Sequence, residues 1–260
     1  MQTRELSLFL REIEEIYSWI IFTHELALGS DRVKIAAAKA LSEGSGATDI
    51  DRKRFEDLLK NPHTVTAQHR RYRSLNHRIF LTYIVDAFLC YIADLLKVVH
   101  FKIPEIIGTN EKISYADVIS FTNYSDLTAH LIEKRVTNLT FLSFRELDRE
   151  LREKLSFALA PKTTTLIRLN KLIEIRNLFV HNRGIVNSRY CQRTTDTKTK
   201  IGEKVILPNA VRASQHIIAV SYDIDRRAIS KFKLSEADGV ETSAPPLALL
   251  GTLPLGRVPS

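Results

Sequence analysis

One stretch of the chain gathers residues that can move protons and hold anions. Arg176, Asn177 and His181 lie within Ile175-Arg176-Asn177-Leu178-Phe179-Val180-His181, and Asn182, Arg183 and Gly184 follow at once. An imidazole titrates near neutral pH and can give or take a proton. A guanidinium can donate two parallel bonds to an oxyanion. At about 100° per residue, Leu166, Leu169, Leu172, Ile173, Ile175, Phe179 and Val180 fill one broad arc of a helix, and Arg176 lands near its middle. A guanidinium there needs a partner, a path to water or a cleft. Asn177 and His181, four apart, share the arc's edge. Spacing alone leaves two readings open. Either the trio lines a cleft, or it is structural: Arg176 would pair with Asp86, Asp94 or Asp223, and His181 would bond the last carbonyls of its helix, where the dipole favours its charge.

The surrounding sequence predicts helices throughout. Pro161 precedes the motif helix, Thr163 or Thr164 can cap it, and Gly184 ends it. Upstream, Leu6, Phe9, Ile13, Ile16, Tyr17 and Ile20 repeat at three and four, which predicts a helix over 3–28 stopped by Gly29. Ser30 would cap a second helix, Gly44-Ser45-Gly46 would be a flexible joint, and Asp49 would cap a helix ending before Asn61-Pro62. A long helix is expected from Thr66 to His100, with Leu75, Ile79, Tyr83, Phe88, Ile92, Leu95, Leu96 and Val99 as its apolar positions. Shorter ones would be capped by Ser114 and Ser125, and another would run from Phe141 to Leu159. Residues 187–208 are polar and irregular, with a short hairpin expected around Thr199-Lys200-Ile201-Gly202. Asn209 caps a last helix that faces inward through Val211, Ile217, Ile218, Val220 and Ile224. The expected organisation is an N-terminal helical arm at 1–62, a helical domain at 63–235, and a Pro-containing disordered tail at 236–260.

Composition agrees with that class. Gly (9) and Pro (8) are sparse among 260 residues, which disfavours a turn-rich β fold. The formal net charge of +8 suits a polyanionic partner. Cys90 and Cys191 show no CxxC or Cys-His spacing, so neither a disulfide framework nor a zinc site is expected; Cys90 reads as a core residue. Arg4, Glu5, Arg11, Glu12, Glu14 and Glu15 interrupt any N-terminal leader. Asp86 and Asp94 would be costly in a bilayer, so the apolar window Ile79–Val99 reads as a buried helix, and a cytoplasmic protein without membrane contact is expected. His69 and His77, eight apart, lack carboxylate company; no metal and no cofactor is expected. P-loop, dinucleotide-glycine and nucleophile-elbow patterns do not occur.

An Arg, four intervening residues and a His at the end of a bundle helix resemble the HEPN motif, in which a polar residue, here Asn177, commonly follows the Arg. The longer stretch from Ile175 to Asn187 is similar to the version in prokaryotic HEPN proteins, including the RiboL-PSP-HEPN group. The resemblance covers roughly 70–235; residues 1–62 lie outside it. It implies an all-α, HEPN-like bundle of four to five helices, here with the additional N-terminal arm. It also implies a homodimer whose motif helices face each other, and metal-independent RNA cleavage. Arg176 and His181 would carry the catalytic roles and Asn177 the accessory one. A toxin or anti-phage defence role, with an antitoxin or defence-system partner, follows from the same resemblance, as does its rival, a non-catalytic dimerisation adaptor.

RNA supplies its own nucleophile, the ribose 2′-OH. Attack on the neighbouring phosphate needs a proton removed there and one delivered to the 5′-oxygen, while charge gathers on the phosphate. Two basic stretches are candidates for holding the strand: Arg70, Arg71, Arg73 and Arg78 before and within the long helix, and Arg183, Arg189, Arg193 and Lys198 after the motif. Tyr72 and Tyr190 are candidate base-stacking rings.

Overall fold

The computed structural model describes residues 2–43, 48–60, 64–107, 114–115, 118, 121–194, 196 and 199–235. Expectations for Gly44-Ser45-Gly46, Asn61-Pro62, Lys198 and the tail 236–260 lie outside these residues. Helices are numbered here among the described residues. They are α1 (Arg4–Glu43), α2 (Asp49–Lys60), α3 (Thr64–Arg71), α4 (Arg73–Lys102), α5 (Tyr124–Thr140), α6 (Phe144–Leu155), α7 (Thr163–Asn182), α8 (Ser188–Arg193) and α9 (Ala210–Phe232), with a 3-10 turn at Pro104–Ile107. The fold is all-α. Among the described residues there is no strand, only an isolated antiparallel bridge between Ile185 and Lys204.

α4 occupies the middle. Its face of Phe80, Ile84, Phe88, Tyr91, Ile92, Leu95 and Val99 is buried, and α1, α5, α7 and α9 pack around it. By length and composition α4 could cross a membrane, but 56 % of its most apolar window is buried inside the bundle. Removing these apolar side chains from water is the main stabilising term. The inward residues of α9 meet them: Ile217, Ile218, Val220 and Ile224 are buried as the periodicity predicts, and Val211 packs against the same cluster from a partly buried position.

The first helix of the N-terminal segment packs against α4 and α9. Leu6, Phe9, Leu10, Ile13, Tyr17 and Ile20 belong to the same core as α4 and α9. Buried Asp225 of α9 holds the chain's start by accepting from both the amide and the hydroxyl of Thr3. Tyr91 of α4 donates to the same carboxylate at 3.3 Å. α1 also runs through Gly29 without a break. A helical Gly costs about 0.5–1 kcal/mol relative to Ala, and tertiary anchoring on either side offsets it. Buried Ala27 and Ala38 flank it, and Asp31 accepts from the amides of Val65 and Thr66 at 3.0 and 2.8 Å, capping α3 from another helix.

Other boundaries differ from expectation for local reasons. The long helix predicted from Thr66 is split at Tyr72, whose amide is shared between the carbonyls of Gln68 and His69. Asn123, not Ser125, caps α5. The run predicted from Phe141 to Leu159 begins only at Phe144, because Ser143 and Glu146 form a reciprocal capping box, and it ends at Ser156 in the left-handed region. α4 also turns part of its apolar sequence outward. Leu75, Ile79 and Tyr83 are exposed, and Cys90, expected in the core, lies on the surface opposite Phe88 and Ile92.

Burial shapes the response to acid. His69, His100 and His216 are all held below the ordinary imidazole value of 6.5, in each case chiefly by burial. His24 adds to this at His69, Arg135 at His100 and Arg168 at His216. The ring of His100 bonds the Leu96 carbonyl at 2.7 Å, which partly opposes the shift. Below pH 6.5 the unfolded chain takes up protons that the folded one refuses, so more protons bind to the unfolded state and stability falls as pH falls. Melting temperatures measured from pH 7.5 to 5.5 are expected to drop, with a smaller drop in His100→Gln. An equal drop in that variant would remove His100 from the cause.

A cationic groove at the end of α7

The loop that launches α7 is tied down by charge. Asp148, buried on α6, accepts from the Ala160 amide at 3.0 Å and from Arg152, which in turn donates to the Ala160 carbonyl at 2.6 Å. Arg227 of α9 donates to the carbonyls of Ala158 and Leu159. With the turn held this way, α7 starts without a side-chain cap: Lys162 is the N-cap residue, not Thr163 or Thr164. Its far end closes as the sequence predicts. Arg183 and Gly184 both take positive φ, and the Gly184 amide donates to the Leu178 carbonyl at 2.9 Å. A Cβ on Gly184 would lie 2.5 Å from the Phe179 ring, so only glycine fits this stop.

The segment expected to be irregular contains a helix among its described residues. Asn187 caps the short helix α8, and Val186 exchanges backbone bonds with Glu203 and Gly202. α8 is fastened to α7 by polar contacts: Asn170 donates to the Arg193 carbonyl at 2.7 Å, and Arg193 pairs with buried Glu174 at 3.2 Å. Tyr190 is buried, with its hydroxyl on Asp196, so it is not available to stack on a base; burial, and then the Asp196 carboxylate, push its phenol upward. Tyr72 is exposed.

Arg176, Asn177 and His181 border one groove of ≈ 390 Å³. Leu89, Ile92 and Leu96 of α4 line it too, Phe141-Leu142-Ser143 between α5 and α6 form a lip, and Arg189 and Arg193 of α8 also border it. The size falls within the about 300–1,000 Å³ common for ligand clefts. Arg176 is neither locked in a closed interior nor free. Its guanidinium meets the Asp86 carboxylate at 2.5 Å and the Asn177 side-chain oxygen at 3.1 Å, with 23 % of the side chain exposed. Its Nε is enclosed without a partner. Of the three carboxylates named from spacing, Asp86 is the partner; Asp94 pairs with Lys97, and Asp223 with Arg226 and Arg227. His181 is exposed at the groove's edge.

The Asp86–Arg176 pair separates this groove from a second depression of ≈ 430 Å³, lined by Arg78, Ile79, Tyr83, Asp86, Phe179, Val180 and Arg183. Arg78 stacks over Phe179 with 5.9 Å to the ring centre. The predicted strand-holding cations therefore divide. Arg189 and Arg193 join the motif groove, Arg78 and Arg183 the neighbouring one. Arg70, Arg71 and Arg73 stand apart: Arg73 is thirteen positions before Asp86 on α4, about 20 Å at 1.5 Å per residue. Among the described residues, no group of three or more His, Cys, Asp or Glu is placed to hold a metal ion.

Sequence reasoning missed the α5–α6 lip. The signal was present: Ser143 and Glu146 have capping-box spacing, which places Phe141 and Leu142 outside a helix. Fold and groove together define an all-α protein with a cationic cleft at one helix end. Comparison with protein-family models, with curated proteins and with solved structures gives no match.

Proposed function

We propose that this chain is a HEPN-type endoribonuclease that needs no metal and serves as a toxin or anti-phage effector in the cytoplasm. The observation that carries the reading is the meeting of Arg176, Asn177 and His181 with Arg189 and Arg193 around one open groove. There the His181 imidazole takes the proton from a ribose 2′-OH or returns one to the leaving 5′-oxygen. Arg176 and Arg189 oppose the charge on the five-coordinate phosphate, and Asn177 aims the guanidinium. The P–O bond to the 5′-oxygen breaks as the 2′-oxygen bonds phosphorus, leaving a 2′,3′-cyclic phosphate and a 5′-hydroxyl. One imidazole serves one end of this reaction, so two copies supply both. Exposed Ile79, Tyr83 and Val180, beside Arg176's partner Asp86, are apolar surface for a second copy to cover. An antitoxin or another defence component belongs to the same proposal.

The Arg176–Asp86 pair also favours a second reading, a non-catalytic adaptor in which that pair only braces the helices. Labelled RNA incubated with the protein in EDTA separates them. Cleavage with cyclic-phosphate ends supports the nuclease; intact RNA, or cleavage that returns only with added metal, rejects it. Light scattering on the same sample reports the dimer.

A further inference from the structure

Phe141 stands out against its surroundings. The residue is 81 % exposed, whereas Phe144, three residues on, is buried against Phe88. Phe141 follows the last residue of α5, and Ser143 is committed to capping α6, so the Phe141-Leu142 lip is only two residues long. The Leu142 amide, bonded to the Leu139 carbonyl at 3.2 Å, holds it further. A lone exposed aromatic is ordinary. This one borders the groove that also holds Arg176, His181 and Arg189. Glu146, the nearest acid on that lip, is turned onto the amide and hydroxyl of Ser143. Arg189 is exposed, and among the described residues no carboxylate pairs with it.

Cations and an exposed aromatic ring bordering one groove suit one kind of polyanion. Cations track the phosphates of a strand, and a ring offers its face to a base. A paired base is already stacked within its duplex and has no free face, so only an unpaired base can use the ring. Building on the nuclease reading, we infer that Phe141 is a specificity-determining platform that stacks the unpaired base beside the phosphate held at Arg176. Leu142, 39 % exposed, extends the apolar lip beneath that base.

The test is binding of labelled oligoadenylate, oligouridylate and an RNA duplex to the His181→Ala protein, in which slowed cleavage leaves time to measure binding. Adding Phe141→Ala is expected to weaken single-strand binding by about 5- to 150-fold and to leave duplex binding unchanged. Phe141→Trp should restore single-strand affinity. The chain has one Trp, so in a Trp19→Phe background the new indole reports stacking by losing emission when oligoadenylate binds. Because the ring is exposed, circular dichroism should show all variants folded alike. Unchanged single-strand binding in Phe141→Ala, equal losses on single and double strands, or an unresponsive indole would overturn the inference while the nuclease reading stood on the parent's cleavage. A parent protein that neither binds nor cuts RNA would overturn both.

Discussion

On the proposed nuclease reading, His181→Ala is expected to lower the single-turnover rate of RNA cleavage by about 10²–10⁴-fold, the usual contribution of a positioned acid–base group. His181 is exposed at the end of α7 and closes no core contact, so its loss acts on chemistry and not on folding. Arg176→Ala is expected to fall as far, by about 10²–10³-fold, the scale for removing a charge-stabilising donor. It removes a cation from the groove and leaves Asp86, 38 % exposed and still reached by water, without its partner. Arg176→Lys should recover little, because an ammonium cannot meet Asp86 and Asn177 together while offering a second donor to phosphate. The double alanine variant should be scarcely slower than either single one, since groups that act as a unit do not add. If either alanine variant cut RNA as fast as the parent, the chemistry would have to lie elsewhere in the molecule.

The largest expected loss of stability is at Phe88. Its ring is fully buried on α4, 6.0 Å from Phe144 and 6.5 Å from Tyr91, centre to centre. Phe→Ala in such a place costs about 3–5 kcal/mol, transfer and cavity together. Whole domains are stable by only about 5–15 kcal/mol, so the urea midpoint of Phe88→Ala should fall by a large fraction of its parent value. The damage reaches function through Phe144, which opens α6 directly after the Ser143 cap and lines the groove. A cavity beneath Phe144 lets α6 settle, and the Phe141-Leu142 lip moves with it. Phe88→Leu, which refills much of the space, should recover most of both losses. A midpoint close to the parent's would mean that this part of the core collapses freely onto a void.

The chain by itself determined what depends on near neighbours. Apolar spacing of three and four located the helices and most inward faces of α1, α4 and α9, because a helix repeats every 3.6 residues whatever surrounds it. Asn209 and Gly184 marked ends correctly, since capping is settled within a turn. Arg176, Asn177 and His181 had to be close to one another for the same reason: one helix carries all three. Tertiary structure decided what those residues face. Which carboxylate meets Arg176 depended on how α4 lies against α7, and three aspartates were equal candidates until then. Continuity of α1 through Gly29 came from Asp31 reaching α3, a contact between distant segments. Cys90 went outward and Tyr190 inward for similar reasons. Local periodicity says that a face is apolar or mixed; only packing of one segment on another says whether it meets core, groove or water.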